Sequence, residues 1–166
     1  MKKIILCAIC AICGFTTANA QKFGHINADE VIQAMPEFTK ARADIEALTK
    51  QYEADLKSMQ EEIQKKAEAY EKEQATLPAN IKQRRETELM EMQQKLQQSY
   101  QDNQQALTKE QSERMQPIQK KIMDAIDAVG KEGGYVYIMQ TGSALYISTT
   151  LSTDVTAQVK AKLGLK

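Results

Sequence analysis

The stretch IEALTKQYEADLKSMQEEIQKKAEAY, residues 45–70, decides the fold of this 166-residue chain. Its apolar residues recur every three or four positions, which places them in one stripe along an α-helix. The repeated steps of 3, 4 and 4 make an 11-residue period, which predicts a straight or slightly right-handed superhelix. The stripe consists of Ile45, Leu48, Tyr52, Leu56, Met59, Ile63, Ala67 and Tyr70.

A second stripe with similar spacing follows a turn near residues 77–80. Pro78 disfavours helix at the residue before it, and Asn80 with Gln83 three positions later fits the start of a new helix. Gly130, or the pair Gly133-Gly134, would end that helix. We therefore predict a long antiparallel helical hairpin over residues 36–132. Its second stripe is Leu89, Met92, Leu96, Tyr100, Asn103, Leu107, Gln111, Met115, Ile118, Ile122, Ile126 and Val129.

Both ends of the chain predict a small base made of strands and short helices. A strand over residues 22–27 leads into a helix over residues 28–35, with Asn27 and Glu30 at the spacing of a capping box. Pro36 fits the first turn of the long helix that follows. The Gly- and Thr-containing turn between Tyr135–Gln140 and Ala144–Ser148 is typical of a β-hairpin.

A last helix is predicted to begin at Ser152 as its N-cap and to carry Val155, Val159 and Leu163 on one side. The expected fold class is thus α+β, dominated by the long helical hairpin on a small β-rich oligomerisation body. The body would comprise residues 21–35 and 133–166. Because so small a body is only marginally stable by itself, we expect a homo-oligomer.

Residues 1–20 have the pattern of a secretory signal peptide. Lys2 and Lys3 precede an apolar run of about a dozen residues, which is shorter than the roughly 20 residues needed to span a membrane. Small residues in Ala18-Asn19-Ala20 predict cleavage after Ala20. All three cysteines lie before that point, so the mature chain would have no thiol and no disulfide.

The charge balance argues against nucleic acid as a partner. Lys and Arg number 22, and Asp and Glu also number 22. Loss of Lys2 and Lys3 with the signal peptide would leave 20 basic and 22 acidic residues, a net charge of −2. Proteins that bind nucleic acid usually carry a basic excess.

The sequence gives little sign of enzymatic chemistry. His25, the one histidine, lies in a predicted strand, and the mature chain would have no cysteine to help it hold zinc. The Gly133-Gly134 pair follows a helix and precedes a strand, which is the wrong order for a phosphate-binding loop. We predict no catalytic residues, no metal and no cofactor.

Four residues just after the predicted turn are candidates for contact with a client protein or a lipid. Lys82, Arg84 and Arg85 form a basic cluster, although Glu86, Glu88 and Glu91 follow directly and favour simple exposure to solvent. Met90 lies off the apolar stripe, so it would be exposed, and flexible Met side chains suit promiscuous apolar binding.

The order of these elements resembles the Skp (OmpH-like) periplasmic chaperones over essentially the whole mature chain. The opening KFGHINADEVI of residues 22–32 looks like the family's first strand and helix, and Met35-Pro36-Glu37 is similar to its entry into the long arm. At the other end, residues 134–140, 144–147 and 152–156 look like its closing strands and its "D-(I/V)-T" step into the last helix.

The resemblance implies a homotrimer in which each subunit contributes one hairpin as a tentacle. The tentacles would enclose a cavity for unfolded outer-membrane proteins in the periplasm, would prevent their aggregation and would use no ATP. Basic tentacles are expected in this family. Residues 36–133 here carry 16 basic and 19 acidic side chains, so basic attraction of clients is not expected.

A different class of function stays open on the residues alone. A coiled-coil spacer or adaptor in the cell envelope would have the same long helices and would bind one folded partner. Weak contact with membrane lipid through the turn is also compatible with the basic cluster.

Overall fold

The computed structural model describes residues 21–165, so the predicted signal peptide and its cleavage site lie outside the described residues. The prediction of a mostly helical chain with long helices and a small sheet is confirmed. Within the described range, none of the helices is long and apolar enough to cross a membrane. The elements are β1 (Lys22–Ile26), α1 (Ala28–Ala34), α2 (Pro36–Glu73), α3 (Ala79–Gly133), β2 (Tyr135–Gln140), β3 (Ser152–Asp154) and α4 (Thr156–Lys162).

The two long helices α2 and α3, called the arms below, lie side by side in opposite directions. Glu37 near the start of α2 contacts Lys121 late in α3, and Glu73 at the end of α2 contacts Arg85 early in α3. Pro36 occupies the first turn of α2, as predicted, and Gly134 ends α3 with a positive φ of 66°. The link between the arms, residues 74–78, is called the turn end, and the opposite end is called the core end.

The sheet has three strands in the order β2-β1-β3, and both neighbours run parallel to β1. The predicted hairpin is therefore wrong. A short 3-10 turn at Thr141–Ser143 follows β2, and residues 144–148 form no strand. The outer edge of β2 stays unpaired within the described residues, because the β-prone segment ALYIS does not return alongside it after the 3-10 turn.

The apolar core lies entirely at the core end. Helix α3 has 55 residues and α2 has 38, and most of the extra length of α3 extends past the start of α2. There it packs against α1, α4 and the sheet. The buried apolar residues are Ile26, Val31, Met35, Ala41, Ile118, Ile122, Ala125, Val129, Val155 and Val159.

A chain of hydrogen bonds joins the two ends of the sequence. The backbone N–H of Asn27 donates to Thr156 Oγ1 at 2.9 Å, and this hydroxyl donates to Asp154 Oδ1 at 2.6 Å. The same carboxylate oxygen accepts the backbone N–H of Thr156 at 2.9 Å. These bonds lower the pKa of the Asp154 carboxyl below its ordinary value, and the charge of His25 adds a smaller effect in the same direction.

One predicted helix cap is present and two are absent. The Asn27 side chain accepts the backbone N–H of Glu30 at 3.1 Å, as the capping-box spacing predicts. Ser152 instead lies in β3, and the Asp154 carboxylate accepts the backbone N–H of Thr156 at the start of α4. Asn80 lies inside α3, because Pro78 takes the N-cap position and its carbonyl accepts the backbone N–H of Lys82 at 3.0 Å.

The predicted stripes are displaced by one residue at Ala67 near the turn end, at Tyr100 midway along α3 and at Gln111 nearer the core end. Ala67 and Tyr100 are exposed, whereas Lys66 and Ser99 are half-buried in their place. On α2, the half-buried positions from Leu56 onward therefore follow alternating steps of 3 and 4 residues. This spacing is closer to a 7-residue repeat than to the expected 11-residue period.

Thr156→Val is expected to lower the free energy of unfolding by about 1–3 kcal/mol. The substitution keeps the shape of a buried side chain but leaves the Asn27 N–H without its acceptor. Urea unfolding followed by circular dichroism measures the change at a fixed protein concentration. Thr108→Val, the same substitution on the exposed side of α3, is the control and should change the midpoint little. Equal midpoints for the two variants would contradict the role given to Thr156.

Candidate functional site

The basic residues after the turn do not form one continuous patch. Arg85 is directed toward the end of α2, where its Nη2 lies 3.7 Å from Glu73 Oε2. Arg84 is exposed and lines an open depression together with Glu88 and Glu91. Lys82 is half-buried. The acidic neighbours thus share the surface with the basic cluster, as the sequence suggested.

Met90 is exposed, with 68% of its surface accessible, as its position off the stripe predicts. Two other large apolar side chains on α3 are also exposed, namely Tyr100 and Met123. Tyr100 was expected on the seam, so its exposure follows from the one-residue shift described above.

Polar contacts, rather than buried apolar residues, link the arms near the turn end. Lys66 Nζ donates to Glu88, and the Tyr70 hydroxyl donates to Glu86. The bond with Lys66 lowers the pKa of the Glu88 carboxyl, and the same bond raises the pKa of Lys66. The bond with Glu86 raises the pKa of the Tyr70 hydroxyl above its usual value.

A second cluster of polar side chains links the arms nearer the core end. Arg114 Nη1 donates to Asp44 Oδ2 at 2.6 Å, while Arg114 Nε donates to Glu110 Oε1 at 2.7 Å on its own helix. Lys40 also bonds to Asp44, and the pKa of this carboxyl is lowered first by Lys40 and then by Arg114. The Lys121 ammonium likewise lowers the pKa of the Glu37 carboxyl.

The seam between the arms is only half-buried over most of its length. Ala41 is the one residue of α2 classed as buried, and the buried residues of α3 all follow Pro117. Several grooves open along the seam, and two of them are lined in part by Met side chains. One, of about 490 Å³, is lined at the core end by Phe38, Ile45 and Met115, with the Arg42 guanidinium 5.9 Å from the Phe38 ring centre. The other, of about 260 Å³, contains Met59, Ile63 and Met92.

The sheet side of the core end carries exposed apolar side chains, and all of them except Leu151 were predicted to lie in a β-hairpin. The β-prone residues of YVYIMQ correctly predicted a strand, whereas the equally β-prone ALYIS forms none. Leu145 and Tyr146 are fully or nearly fully exposed. The exposed set is Val136, Tyr137, Met139, Leu145, Tyr146 and Leu151.

The described residues contain little that resembles a catalytic centre. His25 Nδ1 lies 2.8 Å from Ser152 Oγ, but both side chains belong to paired strands of the sheet. Among residues 21–165, no group of three or more His, Cys, Asp and Glu side chains is placed to hold a metal ion. The site that remains is the surface of the arms together with the exposed apolar side chains at their base.

Comparisons with known proteins point to one family. The family model described as "Outer membrane protein (OmpH-like)" matches residues 22–163. The curated protein named Chaperone protein Skp from Yersinia enterocolitica is 24% identical over 152 residues, covering 90% of this chain and 93% of that one. Its namesake from Pectobacterium atrosepticum is 24% identical over 143 residues, covering 85% and 87%.

The fold has a counterpart among solved structures. A crystal structure of an OmpH-like outer membrane chaperone from Caulobacter crescentus CB15 superposes with a TM-score of 0.75. The match covers 86% of this chain and 83% of the other at 12% identity, so it supports the fold alone.

Acid is expected to separate the arms near the turn end. Because the folded pKa of Glu88 is lowered, its contribution to stability is present at neutral pH and is lost as the pH falls through that value, below the ordinary 4.5. Spin labels on Glu68→Cys and Thr87→Cys, diluted with unlabelled subunits, should give a broader distance distribution at about pH 3 than at pH 7. An unchanged distribution would contradict this expectation.

Proposed function

Because the chain belongs to the OmpH-like family, we propose that it is an ATP-independent periplasmic holdase that binds unfolded outer-membrane proteins and prevents their aggregation. The relatives named Skp are chaperones, and theirs is not an enzyme family. The observation that carries the proposal is the contrast between a small apolar core at one end and two long, half-buried arms that extend from it.

Long arms of this kind suit a client that has no fixed shape. Exposed apolar side chains such as Met90, Tyr100 and Met123 offer weak contacts that do not require one particular sequence. Many weak contacts also let a client leave when a better partner appears, so no nucleotide is needed for release.

We propose that the active form is a homotrimer. Residues 21–35 and 133–166 would form the shared body, and residues 36–132 would form one tentacle of each subunit. The exposed apolar residues between Val136 and Leu151, together with the open edges of a three-stranded sheet, support association through the sheet side. The number three is taken from the resemblance to the family, and the cavity would lie between the tentacles.

We place the protein in the periplasm, exported by a signal peptide that is cleaved after Ala20. The charged start, the short apolar run and the small residues before the cut support this location. Lys82, Arg84, Arg85 and Met90 at the turn end would make secondary contacts with the client or with membrane lipid. Their mixture of exposed charge and one exposed Met supports contacts that are weak.

The mature protein is expected to keep a urea-diluted outer-membrane barrel protein soluble without ATP, at about one trimer per client. Light scattering at 350 nm measures the aggregation, and bovine serum albumin at equal mass is the control. A spacer or adaptor that binds one folded partner would not act on such a client. Unchanged aggregation at a several-fold excess of trimer would overturn the chaperone proposal.

Leu145→Ser combined with Tyr146→Ser is expected to shift the protein from trimer to single chain at low micromolar concentration. Both side chains are exposed in the isolated subunit, so the substitutions remove contacts between subunits rather than contacts within one. Light scattering coupled to size exclusion measures the mass. Met90→Ser combined with Met123→Ser, two exposed residues on the arms, should leave the mass at three chains. A single-chain mass for the unmodified protein would overturn the trimer.

A further inference from the structure

The larger of the two Met-lined grooves lies between the arms at the core end and has a volume of about 490 Å³. Its floor is apolar and includes Phe38, Ile45 and Met115, all three of them half-buried. Covering such a floor with a further apolar group removes more apolar surface from water, which favours binding. A groove of this size with an apolar floor and few charged groups has the usual form of a ligand site.

Arg42 carries the one charge of the lining that has no ion-pair partner. Its guanidinium carbon lies 5.9 Å from the centre of the Phe38 ring, and the side chain is exposed to solvent. Among residues 21–165, no Asp or Glu carboxylate oxygen lies within 4.0 Å of its nitrogens. Arg42 can therefore bond an incoming anion without first giving up an ion pair.

The other two charges of the lining, those of Glu46 and Arg114, are already matched. Lys50 donates to Glu46 at 2.6 Å and is the main cause of the lowered pKa of that carboxyl, to which the more distant Arg42 adds a smaller effect. Arg114 lies 2.6 Å from a carboxylate on α2 and 2.7 Å from one on α3. Two cations and one anion leave the lining with a net charge of +1, and the unmatched charge is that of Arg42.

We propose that this groove binds segments of unfolded polypeptide in which an apolar side chain and an Asp or Glu lie on the same side of an extended chain. The floor would take the apolar side chain, and the forked guanidinium of Arg42 would bond both oxygens of the carboxylate. Side chains two positions apart meet this condition and are about 6.6 Å apart. That spacing is close to the 5.9 Å between the Arg42 guanidinium and the Phe38 ring.

Charge complementarity selects an acidic segment over a basic one. A Lys or Arg beside the apolar side chain would bring a second cation to Arg42, and like charges brought together oppose binding. Residues 36–133 as a whole carry 16 basic and 19 acidic side chains, so general attraction by net charge would favour a basic segment. A preference for acidic segments would therefore report on this groove. The inference rests on the proposed chaperone function and adds the kind of segment that is bound.

Three labelled peptides of 20 residues test the preference. The first repeats Leu-Ser-Glu-Ser, the second has Lys in place of Glu, and the third keeps Glu but has Ser in place of Leu. Fluorescence anisotropy measures their binding to the mature protein at low salt. We expect the first peptide to bind at least about fivefold more tightly than either of the others, because it alone offers both the apolar side chain and the carboxylate.

Substitutions of Arg42 locate the preference in the groove. Arg42→Gln should remove most of the difference between the Glu and Lys peptides, and Arg42→Lys, which keeps the charge without the fork, should retain part of it. Lys65→Gln is the control, because Lys65 is an exposed cation of the same helix that lines neither Met-lined groove. It makes the same change in net charge and should leave the preference within about twofold.

The aggregation assay and the mass of the variants separate the possible outcomes. Equal binding of the Glu and Lys peptides, or an equal loss of preference in Lys65→Gln and Arg42→Gln, would overturn the groove inference. A change in the mass of Arg42→Gln by light scattering would also overturn it, because the groove would then belong to a contact between subunits. The chaperone function stands in each case if the protein suppresses aggregation. If it neither suppresses aggregation nor binds any of the peptides, the proposed function itself fails.

Discussion

Two helices that lie side by side can shield only one stripe of each, and the rest of this structure follows from that constraint. On α2 the one buried residue is Ala41, and on α3 the buried residues begin at Ile118. Burial of apolar area is the main favourable term in folding, at roughly 25 cal/mol per Å². The arms thus gain most of their support from the core at one end, where Val31, Val155 and Val159 are fully buried.

Contacts between the arms beyond this core are of a weaker kind. The pairs that link them, such as Lys66 with Glu88 and Arg114 with Asp44, are all partly exposed. Exposed ion pairs typically contribute about 0–1 kcal/mol each. They can fix the alignment of the arms, but a core residue such as Val159, worth about 1.5–3 kcal/mol on burial, outweighs any one of them. We therefore expect the two arms of a chain to separate more readily at the turn end than at the core end.

Several local signals in the sequence were correct, although the helix caps predicted at Asn80 and Ser152 were not, and signals that depend on distant partners were missed. Asn27 caps α1, Pro36 begins α2 and Gly134 ends α3, because each of these features is decided by backbone within a few residues. Whether residues 144–148 form a strand depends on where the chain runs after the 3-10 turn at Thr141–Ser143, and it does not return along the open edge of β2. The role of Thr156 was equally hidden, since its partner Asn27 lies 129 residues away in sequence.

The places where the predicted apolar stripes are displaced by one residue bear most directly on the proposed function. Had the 11-residue rhythm continued, Ala67 and Tyr100 would pack in the seam; instead Lys66 and Ser99 take those places and Tyr100 is exposed. A seam that accepts Lys66 gives up apolar burial beside the groove that contains Met59, Ile63 and Met92. Loss of packing between the arms and exposure of Tyr100 are therefore two results of the same shift, and under the proposed function the exposed surface would be available to a client.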